Sequence, residues 1–324
     1  MRIAFVFVTM LLAVSCAGGS VLSPPAPPTA TPPPDASTGE WGRGPDMGSA
    51  RSEVGAATIG QRIYVAGGLV DGGVATAIEA FDLPTNHWGA PVRLPAEVHH
   101  PGVAAAGGKL YVAGGFDAAG RPLRTLYEYD PLGGPVVQAR QLMPTLRGAL
   151  ALVELNGRIH AIGGINDQGD TGAHEMYDPA TDTWQSLPPL PTPRDHLAAV
   201  AYRGRIYVFG GRLGDFNNNV AVTEIWDPVS GRWLAGAPMP TARSGIAAAE
   251  VGGRIYVFGG ETGSATFAQN EAYDPAVNRW TAAKPMPQPR HGHAAVTVGR
   301  TIYVVAGGPT PGGSYSRSLQ TYTP

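Results

Sequence analysis

Short runs of alternating and continuous apolar residues, rich in β-branched and aromatic side chains, recur along the chain, and each stops on a pair of glycines. The clearest is Arg205-Ile206-Tyr207-Val208-Phe209, followed by Gly210-Gly211. Counterparts end at Gly67-Gly68, Gly114-Gly115, Gly163-Gly164, Gly259-Gly260 and Gly307-Gly308, at spacings of 47, 49, 47, 49 and 48 residues. A fixed period of this size predicts stacked supersecondary units. No stretch sustains apolar residues at i, i+3, i+4 and i+7, so no substantial helix is expected. Before each glycine-terminated run lies a second one, rich in alanine, as at Ala104-Ala105-Ala106 and Ala247-Ala248-Ala249. Alanine is a poor strand former, and its repeated use predicts strands crowded together around an axis. A third run ends in a turn at Tyr129-Asp130-Pro131, Tyr177-Asp178-Pro179, Trp226-Asp227-Pro228 and Tyr273-Asp274-Pro275, where Asp can bond the turn backbone and Pro presets φ. A fourth carries Trp88, Trp184, Trp233 or Trp280 and leads into a Pro-rich link. Four strands per unit, in six units, is the reading.

Thirteen residues before the aromatic of the glycine-terminated run stands an arginine: Arg51, Arg147, Arg194, Arg243 and Arg290, with Val98 in the second unit. The sixth unit stops at its third run, ending at Pro324, and Trp41 precedes the first arginine with no earlier repeat to own it. The Glu40-Trp41-Gly42 segment is therefore expected to supply the missing fourth strand and close a ring, which removes the exposed edges at the seam. In this reading the arginines brace neighbouring units by bonding carbonyls and turn Asp side chains, a task that suits the guanidinium fork.

These residues resemble the kelch repeat: arginine, small-residue strand, aromatic run ending Gly-Gly, Tyr-Asp-Pro, tryptophan. The resemblance covers Trp41 to Pro324 and implies an all-β fold, a six-bladed β-propeller of kelch type with four antiparallel strands per blade. Units two and three depart from the pattern, with Val98 and Val137 in one and His160 for tyrosine in the other. Those blades are expected to be loosely packed or specialised.

Composition adds location. Gly 45 and Pro 31 with 15% charged residues fit many tight turns. A net charge of −2 and a pI near 6.4 give no global pull on nucleic acid, and that class of partner is set aside. Arg2 and the apolar run Ile3 to Val14 have the make-up of a secretory leader and are too short to span a bilayer. The stretch Leu11 to Gly19 around Cys16 resembles a bacterial lipoprotein signal, in which the cysteine is lipidated and becomes the mature N-terminus; Ala13 stands where that family prefers Leu. An ordinary signal peptide is the alternative. Ser23 to Glu40 is a Pro, Ala, Thr and Ser tract with no apolar periodicity, a tether that as polyproline II would reach roughly 50 Å. The expected organisation is a leader over 1–15, lipidated Cys16 and tether over 16–39, and the propeller over 40–324. The expected location is the bacterial cell envelope, periplasm or cell surface, as a monomer held to a membrane by its lipid.

In kelch domains that bind peptides, the contacts resemble two sets of positions at the channel mouth. Carried over, the residues after the repeat arginine are Ser52, His99, Gly148, Asp195, Ser244 and His291. Those after the glycine pair are Leu69, Phe116, Ile165, Arg212, Glu261 and Pro309. Ser52, His99, Phe116, Asp195, Arg212, Ser244, Glu261 and His291 form the candidate ligand-binding set, suited to an envelope protein, peptide or glycan with polar groups and one apolar patch. The loop Arg212 to Asn219, polar with one phenylalanine, belongs to the same face.

His99, His100, His196, His291 and His293 all begin innermost strands. Two or three could meet near the axis, but the sequence fixes neither a third ligand nor a second shell, so no metal and no cofactor is assigned. No catalytic residue is assigned either. A copper-radical site like that of galactose oxidase needs a cysteine bonded to a tyrosine, and Cys16 lies in the leader. A binding or protein-interaction module is the first reading. A sugar-directed enzyme resembling sialic-acid mutarotase is the second, with Glu261 or Asp195 as acid or base, and a purely structural surface protein is the third.

Overall fold

A computed structural model describes residues 39–324; Cys16 and most of the tether lie outside the described residues. Among the described residues the regular structure is strand, arranged as six blades around one axis. The fourth blade is typical: Ala198–Tyr202 innermost, then Arg205–Phe209, Thr223–Asp227 and Arg232–Ala235, each antiparallel to the last. The alanine-rich strands are the innermost ones, and each touches its neighbours all the way round, the first blade against the sixth. Their small side chains, among them Ala57, Ala105, Ala199, Ala248 and Ala295, line a channel of about 310 Å³. Crowding at the axis is thus the reason for alanine where strand propensity alone argues against it.

The seam closes as the pattern implies. Glu40–Arg43 pairs with the last strand, Leu319–Thr323, opposing Trp41 to Tyr322 as Trp280 opposes Tyr273 in the fifth blade. The Trp41 ring packs on Tyr322 and Phe258 at centroid distances of 4.9 and 5.8 Å. Its indole N–H donates to Lys284 O at 3.0 Å. The other outer tryptophans do likewise onto the link of the preceding blade, Trp88 to Pro45 O, Trp184 to Gln141 O, Trp233 to Pro188 O and Trp280 to Ala237 O. In five of the six blades an indole N–H therefore finds its partner next door, an arrangement that suits an amphipathic ring.

Two circles of backbone hydrogen bonds hold the blades together at one end of the channel. In the outer circle the second glycine of each pair donates its N–H to the carbonyl of the next blade's arginine position, at 2.8–3.0 Å, from Gly68 on Val98 round to Gly307 on Arg51. The sixth blade corrects the sequence register. Its pair in space is Ala306-Gly307, with φ of 62° and 92°, so the residue that follows is Gly308 and not Pro309. In the inner circle the N–H of His100, Ala149, His196, Gly245 and Gly292 each donates to the same position one blade back, and Val54 N–H closes it on Gly292 O at 3.3 Å.

The arginines are scaffold, but their side-chain partners differ from those expected. Each turn Asp bonds its own turn and a cation on the neighbouring strand, as Asp227 does with Val229 N–H and Arg205. The repeat arginines instead reach a glutamate on the third strand of their own blade: Arg51 with Glu79, Arg147 with Glu175, Arg194 with Glu224 and Arg243 with Glu271. A Ser or Thr two residues before the arginine donates to the same carboxylate, as Thr241 Oγ1 does to Glu271 at 2.7 Å. In the second blade both partners are replaced, the arginine by Val98 and the glutamate by Tyr127, while Glu128, one residue on and on the other face of the strand, takes Lys109, Tyr111 and Arg140. In the sixth, Gln320 takes the carboxylate's place, and Arg290 turns to Ala306 O and Ser318 Oγ. Burial with no carboxylate to offset it pulls the Arg290 guanidinium down to about 10.

The third blade is specialised. His160 sits where the other blades hold tyrosine, and its Nδ1 lies 2.9 Å from His174 Nε2. His174 in turn packs on Trp226 and Trp233 of the fourth blade at centroid distances of 4.9 and 5.3 Å. Burial pushes His160 down to about 4, and burial together with His160 pushes His174 down to about 3.

Trp41→Ala should cost roughly 3 kcal/mol or more, because it removes a large aromatic from the seam together with its bond to Lys284. Urea unfolding checks this, and an unchanged midpoint would show that the ring is not fastened here. The histidine pair makes a second prediction. The folded state holds both rings neutral while the unfolded chain takes up protons near pH 6.5, so stability is full above about 6.5 and falls as the pH drops toward 4. At about 1.4 kcal/mol per unit of displacement the loss is on the order of several kcal/mol. Replacing the pair by the residues the second blade holds, His160→Tyr with His174→Leu, should flatten that part of the profile. Parallel acid curves for the two proteins would refute it.

Candidate functional site

The two sets of mouth positions are partners in space. The residue after the arginine bridges the residue after the glycine pair in every blade: Ser52 with Leu69, His99 with Phe116, Gly148 with Ile165, Asp195 with Arg212, Ser244 with Glu261 and His291 with Gly308. Most of these side chains are turned inward. Ser52 and Ser244 are fully buried and their hydroxyls meet no hydrogen-bond partner. Asp195, Arg212, Glu261 and His291 are buried too, whereas His99 and Phe116 stay partly exposed.

Residues two places after the arginine complete the site, and only the histidines among them were legible as candidates. Glu53, His100, Ala149 and His196 all adopt φ between 52° and 54°, and Gly245 and Gly292 adopt 64° and 56°. The left-handed backbone that makes the inner hydrogen-bond circle directs these side chains into the channel. A side chain at 292 is crowded out, because a Cβ there would lie 2.8 Å from the Glu53 backbone nitrogen. Gly148 has a similar cause, since the Phe116 ring fills the space its side chain would take, 2.2 Å from a Cβ.

These positions join into one polar network. His99 Nδ1 lies 2.6 Å from His100 Nδ1, and His100 Nε2 lies 3.1 Å from Glu53 Oε2. His291 Nε2 stands 3.3 Å from Glu53 Oε1 and 3.5 Å from Glu261 Oε2. On the other side, Arg212 Nε donates to Asp195 Oδ1 at 3.0 Å, its Nη1 faces Glu261 Oε1 at 3.4 Å, and its Nη2 lies 3.0 Å from His196 Nε2. His196 Nδ1 is hydrogen-bonded to Asp195 Oδ1. The Arg212 guanidinium lies 3.9 Å over the ring of Phe216, on the exposed part of the loop noted in the sequence.

The environment splits the titrations. Burial alone would raise the Glu53 carboxyl, but the imidazoles of His100 and His291 outweigh it and hold the group well below the usual carboxylate range. Burial pushes His100 down to about 3. It pulls His291 the same way, but the hydrogen bond and charge of Glu53, with Glu261, win and raise it. Asp170, on the short hairpin after the third blade's glycine pair, is raised to about 7 by burial and by the carboxylate of Asp195. Burial opposes ionisation of Asp195, yet His196 and Arg212 hold it at about 2. Asp170 therefore holds its proton far more tightly than Asp195 does. Neither Glu53 nor Asp170 was singled out from sequence. The third residue counted from each arginine carries the signal that could have found Glu53.

A cavity of about 580 Å³ opens elsewhere, between the fourth and fifth blades beside the Tyr202–Arg205 turn. Its carboxylate, Asp227, is already paired with Arg205.

The family model for the KLHDC2/KLHL20/DRC7 Kelch-repeats domain matches residues 149–322, more than half of the sequence, and the Kelch motif matches residues 50–88 and 98–134. The chain belongs to the kelch-repeat family. Among curated proteins, this kelch propeller is 38% identical over 72 residues to the Influenza virus NS1A-binding protein homolog of Mus musculus, and 36% identical over 72 residues to the Influenza virus NS1A-binding protein of Homo sapiens. Each match covers 22% of this chain and 11% of the relative, so the chain spans about a tenth of the length of these proteins. Among solved structures, one titled Structure of YjhT superposes with a TM-score of 0.74 over 85% of this chain and 95% of that one, at 16% identity. That likeness is one of fold.

Proposed function

We propose that the chain is an exported, lipid-anchored kelch propeller that works as a binding module of the cell envelope, with its ligand seated at the channel mouth over blades two to four. One observation carries the reading. The mouth brings His99, Phe116, Asp195, Arg212, Glu261 and His291 to the same end of the channel, and leaves rings partly exposed around it: His99 and Phe116 at a centroid distance of 5.4 Å, His100 and Phe116 at 5.6 Å, and Phe216 over Arg212. Rings beside charged groups suit a peptide or glycan that offers a planar or apolar face together with hydroxyls or charges. The kelch-repeat relatives named for binding another protein agree with an interaction role. Export and anchoring rest on Arg2, the apolar run to Val14 and Cys16.

A glycan and envelope-protein binding screen identifies the ligand. His99→Ala, Phe116→Ala and Phe216→Ala should then each weaken it about tenfold, or roughly 1.4 kcal/mol, with the fold unchanged. Undiminished affinity in all three places the binding face elsewhere, with the cavity beside Tyr202 next to be searched. For the anchor, labelling with a fatty-acid analogue should mark the full-length protein, and Cys16→Ser should abolish the label and release the protein to the soluble fraction. Membrane retention of that variant removes the lipoprotein assignment.

A second reading, a sugar-directed enzyme of mutarotase type, rests on Asp170 as a proton donor, its carboxyl raised to about 7 by burial and by Asp195. It requires turnover of a reducing sugar that Asp170→Asn lowers about a hundredfold or more; Glu261, raised as a candidate base from sequence, is instead held by Arg212 and by Gly312 N–H.

A further inference from the structure

We infer that Glu53, His100 and His196 form a site for a divalent transition-metal ion at the channel axis. The three come from blades one, two and four, and one ligand atom of each lies within 4.8 Å of the other two. They occupy the same left-handed position of the inner circle, whose remaining members are Ala149, Gly245 and Gly292, so half of the ring carries donor atoms and the other half carries almost no side chain. A cavity of about 80 Å³, lined by all six positions, remains between them. That is room for an ion and a water or two.

The hydrogen bonds orient the rings. The backbone oxygen of Asp117 accepts from His99 Nε2 at 3.2 Å, which turns His99 Nδ1 toward His100 Nδ1, 2.6 Å away. His100 Nε2 is thereby directed to the axis, 3.1 Å from Glu53 Oε2, and one ion can bridge the two atoms. In His196, Asp195 accepts the Nδ1 proton, so Nε2 is the acceptor atom turned toward the axis. His291 holds Glu53 Oε1 and leaves Oε2 for the ion.

Each ligand therefore has a partner that fixes its orientation: His99 for His100, Asp195 for His196, His291 for Glu53. In the structure Arg212 Nη2 donates to His196 Nε2 at 3.0 Å. Loading moves that lone pair from Arg212 to the ion, while Arg212 keeps Asp195 and Glu261. Two imidazoles and one carboxylate select zinc or iron over calcium or magnesium, and three protein ligands leave a coordination position open to the mouth.

The test titrates full-length, chelator-stripped protein with Zn²⁺ at pH 7.5. One ion per chain is expected. Glu53→Gln, His100→Ala and His196→Ala should each weaken binding at least about a hundredfold, and Asp195→Asn, which only unfastens His196, about ten- to a hundredfold. His87→Ala, an exposed histidine on an outer strand, should change nothing. X-ray absorption at the zinc edge of the unsubstituted protein reads the shell independently of whether the variants fold, and should show two imidazoles. Absence of stoichiometric binding, undiminished affinity in any ligand variant, or a shell without imidazole overturns the site.

Discussion

The hydrogen bond from each blade's second glycine to the carbonyl at the next blade's arginine position is the constraint on which the architecture rests. It forces the chain into positive φ at two successive residues, a conformation that glycine reaches without the steric cost other residues meet. At the first of the pair the neighbouring carbonyl lies 2.4–2.9 Å from where a Cβ would be in five blades, so space as well as conformation selects glycine. The sixth blade shows how firm the constraint is: Ala306 takes the same φ, and the circle still closes on Arg51. Because backbone atoms make the joint, blades of different sequence can share it.

Side chains then specialise each joint. The buried Arg–Glu pairs gain little net stability over an apolar filling, yet removing one partner strands a charge in the interior. The protein keeps this consistent where the pattern lapses. Val98 removes a guanidinium and Tyr127 removes the matching carboxylate; Gln320 removes a carboxylate and Arg290 falls back on neutral acceptors. The same logic governs the mouth, where Arg212 stands between Asp195 and Glu261, and Asp170, the one strongly raised carboxyl among the described residues, owes its shift to burial and to an Asp195 carboxylate already committed to other partners.

Fold was legible in the sequence because a repeat averages out local ambiguity. Six copies of glycine pair, alanine run and aromatic–Asp–Pro turn overrule the weak strand propensity of any one segment. Apart from the arginines' glutamate partners, which recur in four blades, what escaped detection had no repeat to announce it. The register of the sixth blade was misread by one residue because Gly308 offers a second glycine where Ala306 does the work of the first. The glutamate partners stand on a strand otherwise read only by its turn. Glu53, His100 and His196 share one backbone position, but their identities differ from blade to blade, so the position shows itself only when φ is known. Asp170 gains its character from Asp195, which no spacing could reveal.

The seam also dictates an order of events. Glu40–Arg43 is the first strand of the ring to be made and the last to find its place, since its partner, Leu319–Thr323, is the last strand of the ring in sequence order. Until then it must persist as an open edge through the synthesis of five blades. Its sequence is fit for that wait: Glu40 and Arg43 carry charges and Gly42 offers no apolar surface, features that discourage strands from pairing out of turn. Trp41 alone bears the adhesive side chain, so the segment is quiet in the nascent chain and becomes a latch only when Tyr322 and Phe258 arrive to receive it.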